Sequence, residues 1–231
     1  MNTPAPIDFH FDLSSPYSYI ASEWIEVLAA RHGRTVRWQT ILLGATFRAA
    51  ELKPLVAHPL KREYSLRDFE RSARYAGVPL KIPATFPIST HNAACVFWWL
   101  NAEDGARAAD WARCCLRALF ACGADLSDAP TLAAPAGRFG LEAEQAEAVW
   151  NDVRWKARLK GRQRRGHRRR RVQSALLLLH RRRAVPGQRP PAADRALTRK
   201  RAVLNGRVGP APGQAHCRMQ PDPAGRPDAR P

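Results

Sequence analysis

Ile7-Asp8-Phe9-His10-Phe11-Asp12-Leu13-Ser14-Ser15-Pro16-Tyr17-Ser18-Tyr19 decides the architecture of this 231-residue chain. Its first seven residues alternate Ile7, Phe9, Phe11 and Leu13 with Asp8, His10 and Asp12. A period of two puts the apolar set on one face, so the stretch reads as a strand with that face buried. Ser14, Ser15 and Pro16 then bring capping hydroxyls and a proline suited to the first helical position. From Tyr17 to Arg31 the residues Tyr19, Ile20, Trp24, Val27 and Leu28 fall at helical spacing, and Gly33 closes that helix. Thr35 to Leu43 is rich in β-branched and apolar residues, ends at Gly44 and reads as a second strand. Strand, helix and strand in that order imply two parallel neighbours joined by a right-handed crossover.

From Phe47 to about Leu159 the pattern is helical, punctuated by Pro54, Pro59, Pro79, Pro83, Pro87 and Pro130. Asn92 to Asn101, Ala106 to Cys122 and Glu142 to Leu159 are expected helices. The expected organisation is a β-α-β start over residues 1–44, a helical insertion and return helix over 45–160, and a tail over 161–231. The insertion is large enough to build a core of its own.

The net charge of +18 describes neither end of the chain. Residues 1–160 hold 19 Lys+Arg and 17 Asp+Glu, whereas 161–231 hold 19 and 3, so the first part is near neutral and the second is +16. Every aromatic residue lies at or before Trp155, while nine of the 19 prolines fall after residue 160. A stretch rich in Arg and Pro and without large apolar side chains cannot offset its ordering entropy by burial, so the tail is expected to be disordered. Cys95, Cys114, Cys115, Cys122 and Cys217 form no CxxC and no zinc-ligand spacing. They are expected as reduced, mostly buried thiols of a cytosolic protein, with no metal site. No run of eighteen apolar residues and no basic segment leading an apolar stretch occurs, so a cytoplasmic chain without membrane association is expected.

Chemistry is expected at Ser15-Pro16-Tyr17-Ser18. Free amides and the dipole at a helix start favour negative charge there. Taken alone, Ser15 is an ordinary helix cap, worth about 1 kcal/mol.

The stretch Asp8 to Tyr19 resembles the 2-hydroxychromene-2-carboxylate isomerases, relatives of the kappa-class glutathione transferases on the DsbA-like branch of the thioredoxin superfamily. A second block resembles them too. It runs from Ile41-Leu42-Leu43-Gly44 with Phe47, through Pro59-Leu60-Lys61-Arg62-Glu63-Tyr64-Ser65-Leu66-Arg67-Asp68-Phe69, to Gly77-Val78-Pro79 and Phe86-Pro87. The resemblance covers about residues 6–160. It implies an α/β thioredoxin-like fold of the DsbA/kappa type with a helical insertion. Redox relatives carry Cys-Pro-Tyr-Cys where this chain has Ser15 to Ser18; serine cannot shuttle electrons but can orient a thiolate.

The implied activity is glutathione-dependent interconversion of 2-hydroxychromene-2-carboxylate and trans-o-hydroxybenzylidenepyruvate. Ser15 is implied as the catalytic hydroxyl on the glutathione sulfur, and Lys61 as a cation for a carboxylate of glutathione or substrate. Tyr17 and Phe47, with Trp98, are candidates for an aromatic substrate pocket, although a core role competes for each. Leu52 stands where the transferases carry an asparagine, so one polar glutathione contact is absent. His91 is given no role. The implied partners are glutathione and a small aromatic substrate, with a homodimer common among relatives.

The resemblance stops after Ala157-Arg158-Leu159-Lys160. Relatives continue with an acidic helix and roughly GVFGSPFFFIDGEPFWGNDRL, which supplies the last strands and a loop that pairs with the glutathione backbone. Read one base out of frame, GC-rich codons for FFFIDGEPF spell Leu-Leu-His-Arg-Arg-Arg-Ala-Val, the string from Leu178 to Val185. The tail therefore reads as a frameshift of the family's C-terminal half, with its strands missing. A basic arm for nucleic acid, through Arg162 to Arg171 and Arg181 to Arg183, is the rival reading of the tail. It is not favoured, because no aromatic residue is there to stack on bases. A kappa-like transferase, another DsbA-family protein and an inactive truncated product complete the alternatives.

Overall fold

The computed structural model describes residues 4–49 and 51–168. The readings placed on the tail from residue 169 onward, and on Cys217, lie outside the described residues. The expected boundary at 160 falls inside a helix that runs on to Arg168.

Strand β1 (Ile7–Phe11) pairs in parallel with β2 (Val36–Thr40), Ile7 opposite Val36 and Phe11 opposite Thr40. The alternation does what its period requires: Phe9 and Phe11 are buried and pack edge-on against Trp38 of β2 at 4.9 and 5.3 Å between ring centroids. Such aromatic pairs add to the area they bury.

The expected single helix between the strands is two, α1 (Pro16–Ser22) and α2 (Ile25–Arg31), broken at Glu23–Trp24. The break re-phases the apolar face. Helix α2 buries Ile25 and Ala29, four residues apart, while Trp24 and Val27 are exposed. Glu23 holds the break against a later helix by accepting from Arg117 Nε and Nη2 at 2.8 and 2.7 Å. A rigid two-pronged pair of this kind fixes orientation as well as distance.

After β2, α3 (Leu43–Ala49) starts where a strand was still expected. A 3₁₀ turn (Leu55–Ala57) leads to α4 (Pro59–Ala76), which Pro59 opens and Gly77, at φ 69°, closes. That left-handed angle suits glycine. Helix α5 (His91–Glu103) is apolar on nearly every side and runs through the core, with Phe97, Trp98 and Leu100 fully buried. Helix α6 (Gly105–Phe120) packs along it, and Trp111 Nε1 donates to the Ala93 carbonyl at 2.9 Å. Both expected helices are thus found, each within two residues at its ends.

Helix α7 (Ala129–Gly137) follows. The expected helix from Glu142 to Leu159 is again two, α8 (Ala143–Asn151) and α9 (Val153–Arg168). Asp152 breaks it by leaving helical geometry and accepting from Arg154 at 2.6–2.9 Å, capping the next helix instead. One cluster of buried side chains joins β1, β2, α1, α5 and α6, so strands and helices share a core. Among the described residues the sheet has two strands, and no helix is long and apolar enough to cross a membrane.

Candidate functional site

Ser15 caps α1, its Oγ accepting from Ser18 N at 3.3 Å. It is 5% exposed. The turn that presents it is tied back to the strand, since Ser15 N donates to the Asp12 carbonyl at 3.1 Å and Asp12 N donates to Ser18 Oγ at 3.1 Å. Among the described residues no acceptor takes the Ser15 hydroxyl hydrogen, which leaves that proton free to be donated to a ligand.

Of the residues singled out in the sequence, Phe47 and Lys61 lie together, whereas Ser15 and Tyr17 are not among the residues lining their cleft. Phe47 and Lys61 line one cleft of about 500 Å³ with Glu51, Leu52, Lys53, Leu55 and His58. Lys61 is exposed and Phe47 half-buried. The cleft thus offers two lysine cations beside apolar surface, with one carboxylate opposing them, an arrangement that favours an anion carrying an apolar body. Leu52, standing in the asparagine position, lies on the same wall and is 60% exposed.

Tyr17 makes its contacts outside that cleft's lining. Its ring meets Phe69 edge-on at 5.0 Å, and its hydroxyl donates to Asp68 Oδ2, whose other oxygen accepts from Arg71. Burial, then the bond to the Asp68 carboxylate, pushes the Tyr17 hydroxyl well above the ordinary tyrosine range. Its place is therefore at the α1–α4 contact, two helical turns along α4 from Lys61. Trp98 belongs to the core at 0% exposure. His91 sits at the start of α5 beside Cys95, with Nδ1 3.9 Å from the sulfur.

Sequence reasoning missed Asp12. It stood among the polar residues of an alternating strand, yet it lies one residue past the end of β1 and is 2% exposed. Its Oδ1 accepts from Ser14 N at 2.6 Å, Ser14 Oγ at 2.7 Å and Thr90 Oγ1 at 3.4 Å. Its Oδ2 accepts from Leu43 N, the first residue of α3. Burial pushes the carboxyl above its ordinary range, and these four donors pull part of that shift back. A sequence signal was present. Asp followed two residues later by Ser is the pattern in which the carboxylate bonds the backbone ahead of it. No group of three or more His, Cys, Asp or Glu residues that could hold a metal occurs among the described residues.

A parallel β-α-β start, a capped Ser-Pro turn at the end of β1 and a helical layer behind it are features of one class. The model of the DsbA-like thioredoxin domain matches residues 6–172, and the chain belongs to that family. Within it, the chain is 31% identical over 140 residues to a 2-hydroxychromene-2-carboxylate isomerase of Sphingobium xenophagum, covering 60% of this chain and 70% of that protein. A namesake in Pseudomonas putida is 31% identical over 110 residues, 44% of this chain and 50% of the relative. Glutathione S-transferase kappa 1 of Caenorhabditis elegans is 36% identical over 81 residues, 35% of this chain and 36% of the relative. The chain thus spans half or less of the length of these last two.

A solved 2-hydroxychromene-2-carboxylate isomerase superposes with a TM-score of 0.64 at 22% identity, over 72% of this chain and 81% of that one. The cytosolic disulfide reductase DsbM of Pseudomonas aeruginosa, solved with GSH, gives 0.55 at 19% identity, over 87% and 97%. These likenesses bear out the fold expected from the sequence.

Proposed function

We propose that this chain is a glutathione-dependent isomerase of the cytoplasm that interconverts 2-hydroxychromene-2-carboxylate and trans-o-hydroxybenzylidenepyruvate. The observation that carries this reading is a DsbA-like turn with serines at both positions where redox relatives carry cysteines, in a chain whose relatives are named isomerase and glutathione transferase. Dithiol chemistry has no residues at this turn, whereas orienting a ligand's thiolate needs one hydroxyl proton, and Ser15 has one to donate.

The donor set suits glutathione. Lys53 and Lys61 offer cations for its carboxylates or for that of the substrate, and Phe47, Leu52 and Leu55 offer an apolar wall. When bound, glutathione would supply a thiolate nucleophile for reversible addition to the conjugated substrate, the chemistry that lets a double bond isomerise. Ser15 donates its hydroxyl hydrogen to the negative sulfur, which lowers the cost of keeping it ionised at neutral pH. Lys61 holds a carboxylate in place, and Phe47 bounds the space in which the aromatic ring turns.

The test is to follow isomerisation of trans-o-hydroxybenzylidenepyruvate by its absorbance, with and without glutathione. Turnover that requires glutathione and falls at least about a hundredfold in Ser15→Ala supports the reading, a loss in the range of one oxyanion-type donor. Glutathione-independent turnover would overturn it. A kappa-like transferase is the second reading, favoured by the 36% identity over 81 residues to a glutathione S-transferase kappa 1. Conjugation of a chlorinated aromatic acceptor without isomerisation would select it.

A further inference from the structure

The carboxyl of Asp12 joins three chain segments at the site. It receives Ser14 of the turn that presents Ser15, the first amide of α3, and Thr90 at the start of α5. Helix α3 carries Phe47, a wall of the cleft. Thr90 stands where a helix cap would, yet its side chain makes no capping bond and points to Asp12 instead. A threonine at such a position normally caps its own helix, which is worth about 1 kcal/mol. That value is forgone here for a bond 78 residues back along the chain.

A carboxyl almost wholly buried costs free energy unless its oxygens are satisfied. Both are satisfied here, and only by groups of the site's own frame: two backbone amides and two hydroxyls. Among the described residues no charged side chain bonds it, so its partners are neutral groups whose positions the carboxyl sets. Nothing in the mechanism above uses it.

We propose that Asp12 is a positioning residue: through its bonds to Ser14 and to the Leu43 amide it locks the turn bearing Ser15 to the helix bearing Phe47, so that the hydroxyl and the cleft wall meet the ligand in one register. The proposal rests on the isomerase reading for its catalytic consequence but not for its structural one. Asp12 touches no ligand; it acts by holding the Ser15 turn. Because a misplacement of about 1 Å can cost a hundredfold in rate, the effect belongs in kcat rather than in substrate affinity.

Two substitutions test it in the full-length chain. Asp12→Asn keeps size and one acceptor oxygen but cannot receive all four donors. Leu43→Pro removes the amide hydrogen at the first position of α3, where proline is well tolerated, and Leu43→Ala, which keeps that hydrogen, controls for the lost side chain. Leu132→Ala, buried in α7 away from the site, controls for lost stability.

Each variant is measured by steady-state kinetics and by amide hydrogen exchange at Ser14 and Ser15. Asp12→Asn and Leu43→Pro should lower kcat by about ten- to a hundredfold with KM within about threefold, and should speed exchange at the turn. Leu132→Ala should do neither. The proposal is overturned if both site variants keep wild-type kcat and exchange, or if Leu132→Ala lowers kcat equally. If the wild-type chain does not isomerise, the functional reading fails, and exchange at Ser14 and Ser15 alone decides the positioning role: acceleration in both site variants upholds it, and unchanged rates overturn it.

Discussion

Removing one oxygen from Tyr17 separates the structural place found for this residue from the pocket role expected of it. Tyr17→Phe keeps the ring, and with it the edge-on contact to Phe69 at 5.0 Å, and deletes only the hydroxyl that donates to Asp68. A hydrogen bond to a charged acceptor contributes about 1.5–3 kcal/mol when well buried. Two features of the structure reduce that figure. Asp68 keeps its partner Arg71, so it is not left bare, and Tyr17 is only half-buried, so water replaces part of the bond. The expected loss is about 1 kcal/mol, a shift of roughly 2–4 °C in Tm for a chain of this size.

Urea unfolding at neutral pH should show a lower midpoint with an unchanged slope. A double-mutant cycle with Asp68→Asn should return a coupling of about 1 kcal/mol. Additivity within about 0.3 kcal/mol would refute the bond, because residues that do not interact add. So would full stability in Tyr17→Phe accompanied by a raised KM for the aromatic substrate, which is what a pocket residue would give.

Asp12 sets a pH signature. Its folded-state pKa lies above the ordinary 3.8, because burial disfavours the charge, so the stabilisation is fully present below 3.8 and is lost as pH rises through the carboxyl's own raised range. Stability measured against pH should therefore shift in favour of Asp12→Asn relative to wild type across that range and then level off; a difference constant with pH would sink the assignment. Among the thiols, Cys95 is pushed up to about 11 by burial and Cys115 is raised for the same reason, whereas Cys122 is exposed. Alkylation at neutral pH followed by peptide mass spectrometry should label Cys122 before Cys95 and Cys115, which stay unmodified until unfolding. Replacing Arg117 by Lys keeps the charge but not the two-pronged grip on Glu23, and should cost about 0.5–1 kcal/mol in urea unfolding.

The parallel pair was legible because Phe9 and Phe11 obey period two over enough residues to fix a face, and because the run from Thr35 is rich in β-branched and apolar residues. Helices α5 and α6 were legible because long apolar and amphipathic runs leave few other choices. The breaks at Glu23–Trp24 and at Asp152 were not legible, because apolar spacing continues across both. What breaks the chain there is a side chain meeting a partner far off, Arg117 for Glu23, or one turning to cap the next helix, as Asp152 does. At the site, Ser15 as the cap of α1 could be read from the Ser-Pro pattern, whereas the pairing of Phe47 with Lys61 came only with the family resemblance. Tyr17 could not, since nothing local says that its hydroxyl meets an acid 51 residues on. Asp12 was hidden by its own pattern: in an alternating strand a third polar residue reads as solvated, and only the end of the strand at Phe11 turns it inward.

The bond between Asp12 and Thr90 also sets a clock on synthesis. With the partners 78 residues apart, and ribosomes adding roughly 5–20 residues per second, the first half of the site waits on the order of 4–16 s for its cover. Throughout that interval the nascent acid is still wet and ionised. The turn that will present Ser15 therefore takes its final form only when the chain has been made as far as the start of α5, and a slow codon between the two would prolong the time for which the strand Phe9–Phe11 stands uncovered before the chaperones of the cell.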